Sequence, residues 1–349
     1  MAIKILSLDG GGSKGVFHLY FLRAFETALQ RCMRDTFDYI GGTSVGGIVA
    51  LALTHPILWM GNQNNFQVAD LLAKKVDEKL LSVIFGSPRS CMMPPRLGLL
   101  GPKYADRVKY MQDFYDNEFL GTRTFGGDGI KATMIFSYSL TQSGPQIFKS
   151  WRPTSQDVPL SVVARATSAA PTFFPAVSYK GDILIDGGVV ANDPSYLIGY
   201  EARKYACDFQ SPLIIISLGT SMRGNTDYKG CYTGGLAKWA SKFVNLSMET
   251  QQRVMTYLQG HDSNCCRYCD GCVENHFHEA LGSDQNCFAD YHYWNNVHYF
   301  RFAPVVEGFL DSTDPKMLEG LKTQAQTFFD GNSKIVSKMV TLLNGYAHL

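Results

Sequence analysis

Apolar positions near the start of the chain follow first a strand pattern and then a helical one. Residues 3–8, IKILSL, form a short apolar run that ends at three glycines, and apolar residues then recur at helical spacing over 16–31. A second run, FDYIGG at 37–42, precedes the strongly apolar stretch VGGIVALAL at 45–53. The pattern predicts two successive units of strand, glycine turn and helix.

The same alternation continues along the chain. Further strands are predicted at 131–138, 146–151, 182–186 and 213–218, and helices at 159–169, at 236–258, from Pro315 onward and after Asn332. Strands that alternate with helices indicate an α/β fold built on a mixed sheet. No internal repeat or linker interrupts the chain, so we expect a single domain over 1–349, with an insertion-like segment at 221–300 and C-terminal helices at 313–349.

Composition and charge exclude several classes of protein. The 32 basic and 31 acidic residues leave a formal net charge of +1, which gives no reason to expect a nucleic-acid partner. The first residues form too short an apolar run for a secretory signal, and His55 and Pro56 break the most apolar stretch, at 46–60, too early for a membrane span. Nine cysteines, an odd number, favour free thiols in a reducing compartment. We therefore expect a cytoplasmic protein.

The first glycine turn has the composition of an anion-binding loop. Gly10, Gly12 and Gly15 match the G-x-G-x-x-G pattern of dinucleotide sites, but the acidic residues nearby precede the second strand instead of ending it. A Walker loop also fits poorly, because Lys14 precedes Gly15 and no Lys-Ser or Lys-Thr pair follows. Backbone amides at the start of a helix nevertheless attract any anion, including a transient one.

The second glycine turn supplies a candidate nucleophile. Gly42-Thr43-Ser44-Val45-Gly46 matches G-x-S-x-G between a strand and a helix, where small flanking residues let a strained turn expose the serine hydroxyl. The alternative is an ordinary glycine turn in which Ser44 caps the next helix. An anion-binding loop nearby favours catalysis, since acyl transfer needs both a nucleophile and a cradle for the oxyanion.

A serine nucleophile needs a base, and the chain offers two kinds. His292 and His298 come late enough in the chain for a Ser-His-Asp triad, although both stand among aromatic residues without a recognisable motif. Asp186 ends the apolar strand DILID and precedes Gly187 and Gly188, which places a carboxylate on a tight turn at a strand end. It also has an ordinary interpretation as a turn-capping aspartate.

Four motifs in this order resemble the patatin-like phospholipase family. They are DGGGSKG at 9–15, GTSVGG at 42–47, ARATSAAPTFFP at 164–175 and LIDGGVVANDP at 184–194, and the similarity spans a core of about residues 3–220. The resemblance implies a three-layer α/β/α fold around a mostly parallel central sheet. It also implies a serine-aspartate dyad without histidine or cofactor, in which Ser44 attacks and Asp186 takes its proton.

The resemblance assigns roles to the glycines as well. The amides of Gly10, Gly11 and Gly12 would bind the oxyanion, helped by that of Val45, with the other motif glycines in support. Many patatins carry arginine where this chain has Lys14, so the lysine is expected either to steer anionic headgroups or to pair with a carboxylate. Phe173 and Phe174 are interpreted either as core residues or as the lining of an acyl groove.

The cysteines at 265–278 raise the question of a metal. Cys266, Cys269, Cys272 and His276 have a spacing that would suit a zinc site, whereas a surface loop of reduced cysteines is the simpler interpretation. The dyad requires no metal, and we expect none.

The expected function is a lipid acyl hydrolase of the phospholipase A or lysophospholipase type that meets membrane lipids by peripheral contact. One alternative is an effector whose lipase activity is gated by a nucleotide signal or a protein partner. A Ser-His-Asp esterase and a lipid-binding scaffold without activity are the others. Residues 83–103, with prolines at 88, 94 and 95, are interpreted either as the membrane-contacting segment or as a buried loop.

Overall fold

The computed structural model describes residues 2–54, 113, 115–116, 120, 122–127, 131–171, 173–220, 246, 250–251, 286–293, 297–304 and 315–345. The strands of this part of the chain are β1 Ile3–Leu8, β2 Tyr39–Thr43, β3 Ala132–Ser139, β4 Gly144–Lys149, β5 Val177–Tyr179, β6 Asp182–Asp186, β7 Leu213–Leu218, β8 Asn286–Tyr293 and β9 Val297–Pro304. The helices are α1 Val16–Leu29, α2 Met33–Thr36, α3 Val45–Thr54, α4 Pro153–Gln156, α5 Leu160–Ser168, α6 Gly188–Ala191, α7 Ser195–Ala206, α8 Pro315–Gly331 and α9 Ser333–Asn344. A 3-10 turn, Gly12–Gly15, joins β1 to α1.

The strands form one nine-stranded sheet with a parallel centre. Its order is β5-β6-β3-β2-β1-β7-β9-β8, and β4 also pairs with β3. The five central strands, from β3 to β9, run parallel, whereas β4, β5, β6 and β8 pair antiparallel with their neighbours. This is the predicted α/β fold with a mostly parallel central sheet.

Side chains alternate between the two faces of the sheet, and helices cover both. Leu6 and Leu8 of β1 belong to a core that also holds residues of α1, α3, α5, α8 and α9. Ile3 and Ile5 of the same strand belong to a second core that includes Ile198 of α7. Period-two alternation with helices on either side produces the three layers implied by the resemblance.

Two strands meet end to end along one edge of β3. Thr43, the last residue of β2, lies opposite Phe136, and Asp186, the last residue of β6, lies opposite Ser137. Because β4 occupies the other edge of β3 at both positions, β2 and β6 must share the remaining edge. They approach it from opposite directions, so their carboxyl ends converge. Strand register alone therefore brings the Ser44 turn and Asp186 together.

Most predicted element bounds agree with the structure. The strands at 3–8, 182–186 and 213–218 have the predicted ends, and β3, β4, α1, α3 and α5 differ from prediction by one or two residues at either end. The helix expected after Asp314 begins at Pro315. The predicted segments 83–103 and 265–278 lie outside the described residues, as does most of 236–258.

Sequence patterns missed β5, α7 and the hairpin of β8 and β9. The hairpin spans residues 286–304, and β9 pairs with β7, so the end of the segment interpreted as insertion-like completes the sheet. Over the described residues, none of the helices combines the length and the apolar character that crossing a membrane requires.

Candidate active site

Ser44 occupies a strained turn between β2 and α3. Its φ is 54°, in the left-handed region that costs an L residue roughly 1 kcal/mol or more. The turn is tight because a Cβ on Gly42 would overlap the backbone of Gly46, and one on Gly46 would overlap the carbonyl oxygens of Leu8 and Asp9. Both glycines of G-x-S-x-G are therefore required by close backbone approach, as the sequence predicted.

Thr167 of α5 holds the strained turn in place. The Ser44 amide donates to Thr167 Oγ1 over 2.9 Å, and that hydroxyl in turn donates to the Phe136 carbonyl over 2.6 Å. The Ser44 carbonyl accepts the first α3 bond, from Ile48 N–H, over 3.0 Å. The backbone groups that a left-handed residue exposes are thus satisfied, and Thr167 ties the turn to β3.

Replacing Thr167 with valine is expected to lower the free energy of unfolding by about 2 to 3 kcal/mol, because two buried backbone groups lose their partner without any change of volume. Denaturant melts of Thr167→Val and of Thr167→Ser, which keeps the hydroxyl, measure the effect. Equal stability of the two variants would show that the bridge contributes nothing.

Asp186 is a buried carboxylate at the end of β6. It is 3% exposed, and its Oδ1 accepts the Gly188 amide over 2.7 Å. In the described part of the chain, its Oδ2 accepts no hydrogen bond of normal length and angle. The Ser44 hydroxyl is nevertheless near enough to act as a donor that lowers the pKa of this carboxyl group. Such bonds are often long before substrate binds.

Burial controls the charge of this carboxyl group. It raises the pKa of Asp186 to about 7, against the lowering effect of the hydrogen bonds from Gly188 and Ser44. A carboxylate with a pKa near neutrality is a far better proton acceptor for a hydroxyl than one near 4. Gly187 is packed so tightly that a Cβ there would overlap the Phe136 carbonyl, which fixes the turn after Asp186.

The glycine loop lies beside Ser44, but its three amides are not equivalent. A Cβ on Gly10 would lie 3.2 Å from Ser44 Cβ, so the loop and the serine are in contact. The Gly10 amide, predicted to bind an oxyanion, already donates to the Asn192 carbonyl over 3.1 Å. Among the described residues, the amides of Gly11, Gly12 and Val45 donate to no oxygen. These three remain available to an anion.

Loop geometry accounts for the other motif residues. Gly12 has φ of 59°, which favours glycine, and a Cβ on Gly15 would overlap Val45 of the serine turn. Lys14 is buried in the 3-10 turn, 7% exposed, and does not extend into solvent as a headgroup-steering residue would. Phe174 lies in the core and Phe173 packs against it, which agrees with the core interpretation.

The two candidate histidines lie near the opposite end of the parallel strands from the Ser44 turn. His298 of β9 pairs with Ile214 of β7, which pairs with Lys4 near the start of β1. Gly42, which precedes the serine turn, instead pairs with Leu8 at the end of β1. Lys4 and Leu8 are four residues apart, so the two positions are separated by about 13 Å along the strand direction. His292 lies opposite His298 on β8, so its backbone is equally distant. Neither position suits a triad with Ser44.

The structure also adds residues that carried no predicted role. Asp9 and Asp193 belong to quoted motifs, and both contact Arg301, a fully buried residue of β9. An arginine inside the apolar run VHYFRFAP is itself a signal, since a buried guanidinium needs carboxylate partners.

Comparison with known proteins places this site in context. A family model described as patatin-like phospholipase matches residues 6–196. "Patatin-like protein 2" of Oryza sativa subsp. indica is 30% identical over 276 residues, which cover 68% of this chain and 64% of the relative, so the chain spans less than two thirds of that protein. "cGAMP-activated phospholipase" of Pseudomonas aeruginosa (strain BWHPSA011 / Pa011) is 27% identical over 262 residues, 73% of each chain. The crystal structure of VipD from Legionella pneumophila aligns with a TM-score of 0.40 and 14% identity, over 95% of this chain and 67% of that one.

Proposed function

Because this chain belongs to the patatin-like phospholipase family, we propose that it is a serine acyl hydrolase that cleaves fatty acyl esters of membrane glycerolipids. The observation that carries the proposal is the juxtaposition of Ser44, at φ 54°, with the buried carboxylate of Asp186 and the open amides of Gly11, Gly12 and Val45. An ordinary turn with a capping serine does not explain why these three features occur together.

The first half of the proposed reaction transfers the acyl group to the enzyme. Asp186 takes the proton of Ser44 Oγ as the oxygen attacks the ester carbonyl, and the resulting oxyanion accepts hydrogen bonds from the Gly11, Gly12 and Val45 amides. The tetrahedral intermediate then collapses, the bond to the alcohol breaks, and Asp186 returns its proton to the departing alkoxide. An acyl-Ser44 ester remains.

The second half returns the enzyme to its starting state. Asp186, again ionised, takes a proton from water as that water attacks the acyl carbonyl. The same amides bind the second oxyanion, and collapse releases the fatty acid while Asp186 reprotonates Ser44. No metal or other cofactor enters either half, so we propose that the protein needs none.

The lipid substrate and its location are inferred from the family. We propose glycerophospholipids or their lyso forms, met at a membrane surface by a cytoplasmic protein. A second candidate is the same hydrolase held inactive until a regulator binds. The similarity to the cGAMP-activated phospholipase of Pseudomonas aeruginosa, 27% identical over 73% of each chain, favours this variant.

One experiment addresses both candidates. Purified protein is treated with a fluorophosphonate, the labelled residue is located by mass spectrometry, and fatty acid release is measured from vesicles of phosphatidylcholine, phosphatidylethanolamine, phosphatidylglycerol and lysophosphatidylcholine, each with and without cGAMP. Label on Ser44 with release from at least one lipid supports the hydrolase. A rate that rises about tenfold or more with cGAMP supports gating. Absence of label and of release under every condition would refute the proposal.

A further inference from the structure

A buried charge cluster lies directly beneath the glycine loop. Arg301 of β9 is 1% exposed, and its two terminal nitrogens form a fork on Asp9, with Nη1 to Oδ1 at 2.8 Å and Nη2 to Oδ2. Nη1 also donates to Ser217 Oγ of β7 and lies 3.3 Å from Asp193 Oδ2. One guanidinium thus connects the residue before the glycine loop to the segment that follows the Asp186 turn.

Two buried carboxylates hold the Arg301 guanidinium in its charged form. Arg301 faces two fully buried carboxylates, those of Asp9 and Asp193. His18 nearby is neutral because burial and the Arg301 charge lower its pKa to about 3. Burial alone would lower the pKa of Arg301, but Asp193 and Asp9 raise it well above its usual value. The guanidinium is therefore permanently charged, and removing it would deprive two buried carboxylates of this counter-ion.

The two carboxylates belong to the two segments whose relative position sets the oxyanion site. Asp9 immediately precedes Gly10, and Asp193 immediately follows Asn192. The Gly10 amide donates to the Asn192 carbonyl over 3.1 Å, and the Gly10 carbonyl accepts Thr220 Oγ1 over 2.6 Å. Gly10 is thus fixed from both sides, and the fork on Asp9 orients the backbone that enters the amides of Gly11 and Gly12.

Simple stability is a weak reason for such a cluster. A buried ion pair repays its desolvation only with excellent geometry, and an apolar replacement is often as stable. Geometry, on the other hand, determines how well a fixed dipole stabilises a transition state. A fork of two parallel hydrogen bonds restricts both the distance and the plane of Asp9, which a single bond does not.

We infer that Arg301 is a positioning residue for the oxyanion amides: through its fork on Asp9 and its contact with Asp193, it fixes the glycine loop against the Ser44 turn. The inference rests on the proposed hydrolase function. It extends the functional unit to a strand about a hundred residues beyond the end of the family match at residue 196.

Two substitutions test this role without removing the buried charge wholesale. Arg301→Lys keeps a cation but cannot form the fork. Asp9→Asn removes one carboxylate, and its amide N–H replaces one acceptor of the fork. Glu201→Gln is the control, because it breaks the ion pair of Glu201 with Lys149 between α7 and β4, which includes no residue of the glycine loop or the Ser44 turn.

The measurement is kcat and KM on vesicles of the lipid that wild type hydrolyses. Each kcat is divided by the fraction of chains that carry the fluorophosphonate label on Ser44 after labelling has gone to completion. For Arg301→Lys we expect kcat per labelled site to fall about 10- to 100-fold, with KM changed less than about threefold. Asp9→Asn should lose about tenfold, and Glu201→Gln should stay within about twofold.

The outcomes separate this inference from the function on which it rests. If Arg301→Lys and Asp9→Asn lose only labelled fraction and thermal stability, with wild-type kcat per labelled site, the residue is merely structural and the inference is wrong. If wild type itself releases no fatty acid, or Ser44→Ala releases as much, the proposed function fails first. A drop in normalised kcat in both variants, absent from Glu201→Gln, supports positioning.

Discussion

Replacing Ser44 with alanine is expected to reduce fatty acid release by about 10⁴-fold or more, to the level of the uncatalysed reaction plus what binding and the amides alone provide. Ser44 is the side-chain hydroxyl that acts on Asp186 as a donor. The neighbouring Thr220 hydroxyl already donates to the Gly10 carbonyl, so we expect it not to replace the lost nucleophile. The assay is release from the best vesicle substrate, together with fluorophosphonate labelling.

A matched control separates this loss from a folding defect. Ser155 is also buried, 2% exposed, and its hydroxyl accepts a backbone amide from Lys149 over 3.3 Å. Ser155→Ala should retain full labelling and a rate within about twofold of wild type. Retention of more than a tenth of wild-type activity by folded Ser44→Ala would rule out an acyl-enzyme on this residue.

Asp186→Asn is the second large effect. The amide keeps the hydrogen bond from the Gly188 N–H but cannot accept the serine proton, so kcat should fall about 10³- to 10⁴-fold. Asp182→Asn, at the other end of the same strand, is the control, since Asp182 bonds Ser139 rather than Ser44. Retention of more than a tenth of wild-type kcat by folded Asp186→Asn would mean that another group takes the serine proton.

The pH dependence of the wild type follows from the pKa of Asp186. The carboxylate must be ionised to accept the proton, and its pKa of about 7 places the midpoint of the acid limb there. The value of kcat/KM should rise about tenfold per pH unit below neutrality and level off above it. A midpoint near pH 4 would mean that the base is solvated or is another carboxylate.

The same pKa affects stability in the opposite sense. Unfolding returns the carboxyl from a pKa of about 7 to an ordinary 3.8, so between these values the unfolded chain has released a proton that the folded chain keeps. This group therefore lowers the free energy of unfolding as pH rises from about 4 to 7. Asp186→Asn should be more stable than wild type by about 1 to 3 kcal/mol above pH 7, with a smaller difference at pH 5. Denaturant melts at the two pH values measure it.

Local sequence patterns predicted the parts of the site that depend on the backbone. Ser44 is forced into its turn by Gly42 and Gly46, whose lack of side chains is visible in the sequence as G-x-S-x-G. Asp186 is predicted by the strand end at DILID, and the same residues end β6 in the structure. In both cases the information lies within five neighbouring residues.

What the sequence did not predict depends on contacts between distant segments. The Asn192 carbonyl accepts the Gly10 amide, 182 positions away in the sequence, and this removes Gly10 from the amides proposed to bind an oxyanion. Arg301 reaches Asp9 across a separation of 292. Similarly, His292 and His298 follow Ser44 and Asp186 in the order expected for a Ser-Asp-His triad, and only the strand register shows that they lie away from the Ser44 turn.

The head-to-head meeting of β2 and β6 has a consequence for the way the protein acquires its activity. Ser44 and Asp186 are adjacent only because β2 and β6 both pair with β3. In the chain, β3 follows β2 and precedes β6. Closing such distant contacts is slow compared with forming local helices. The guanidinium that we propose aligns the loop lies on β9, which is synthesised more than 250 residues after Ser44. A chain that has passed residue 186 but not yet folded contains Ser44 and Asp186 without bringing them together, so under the proposed function the reaction can begin only once the fold is complete.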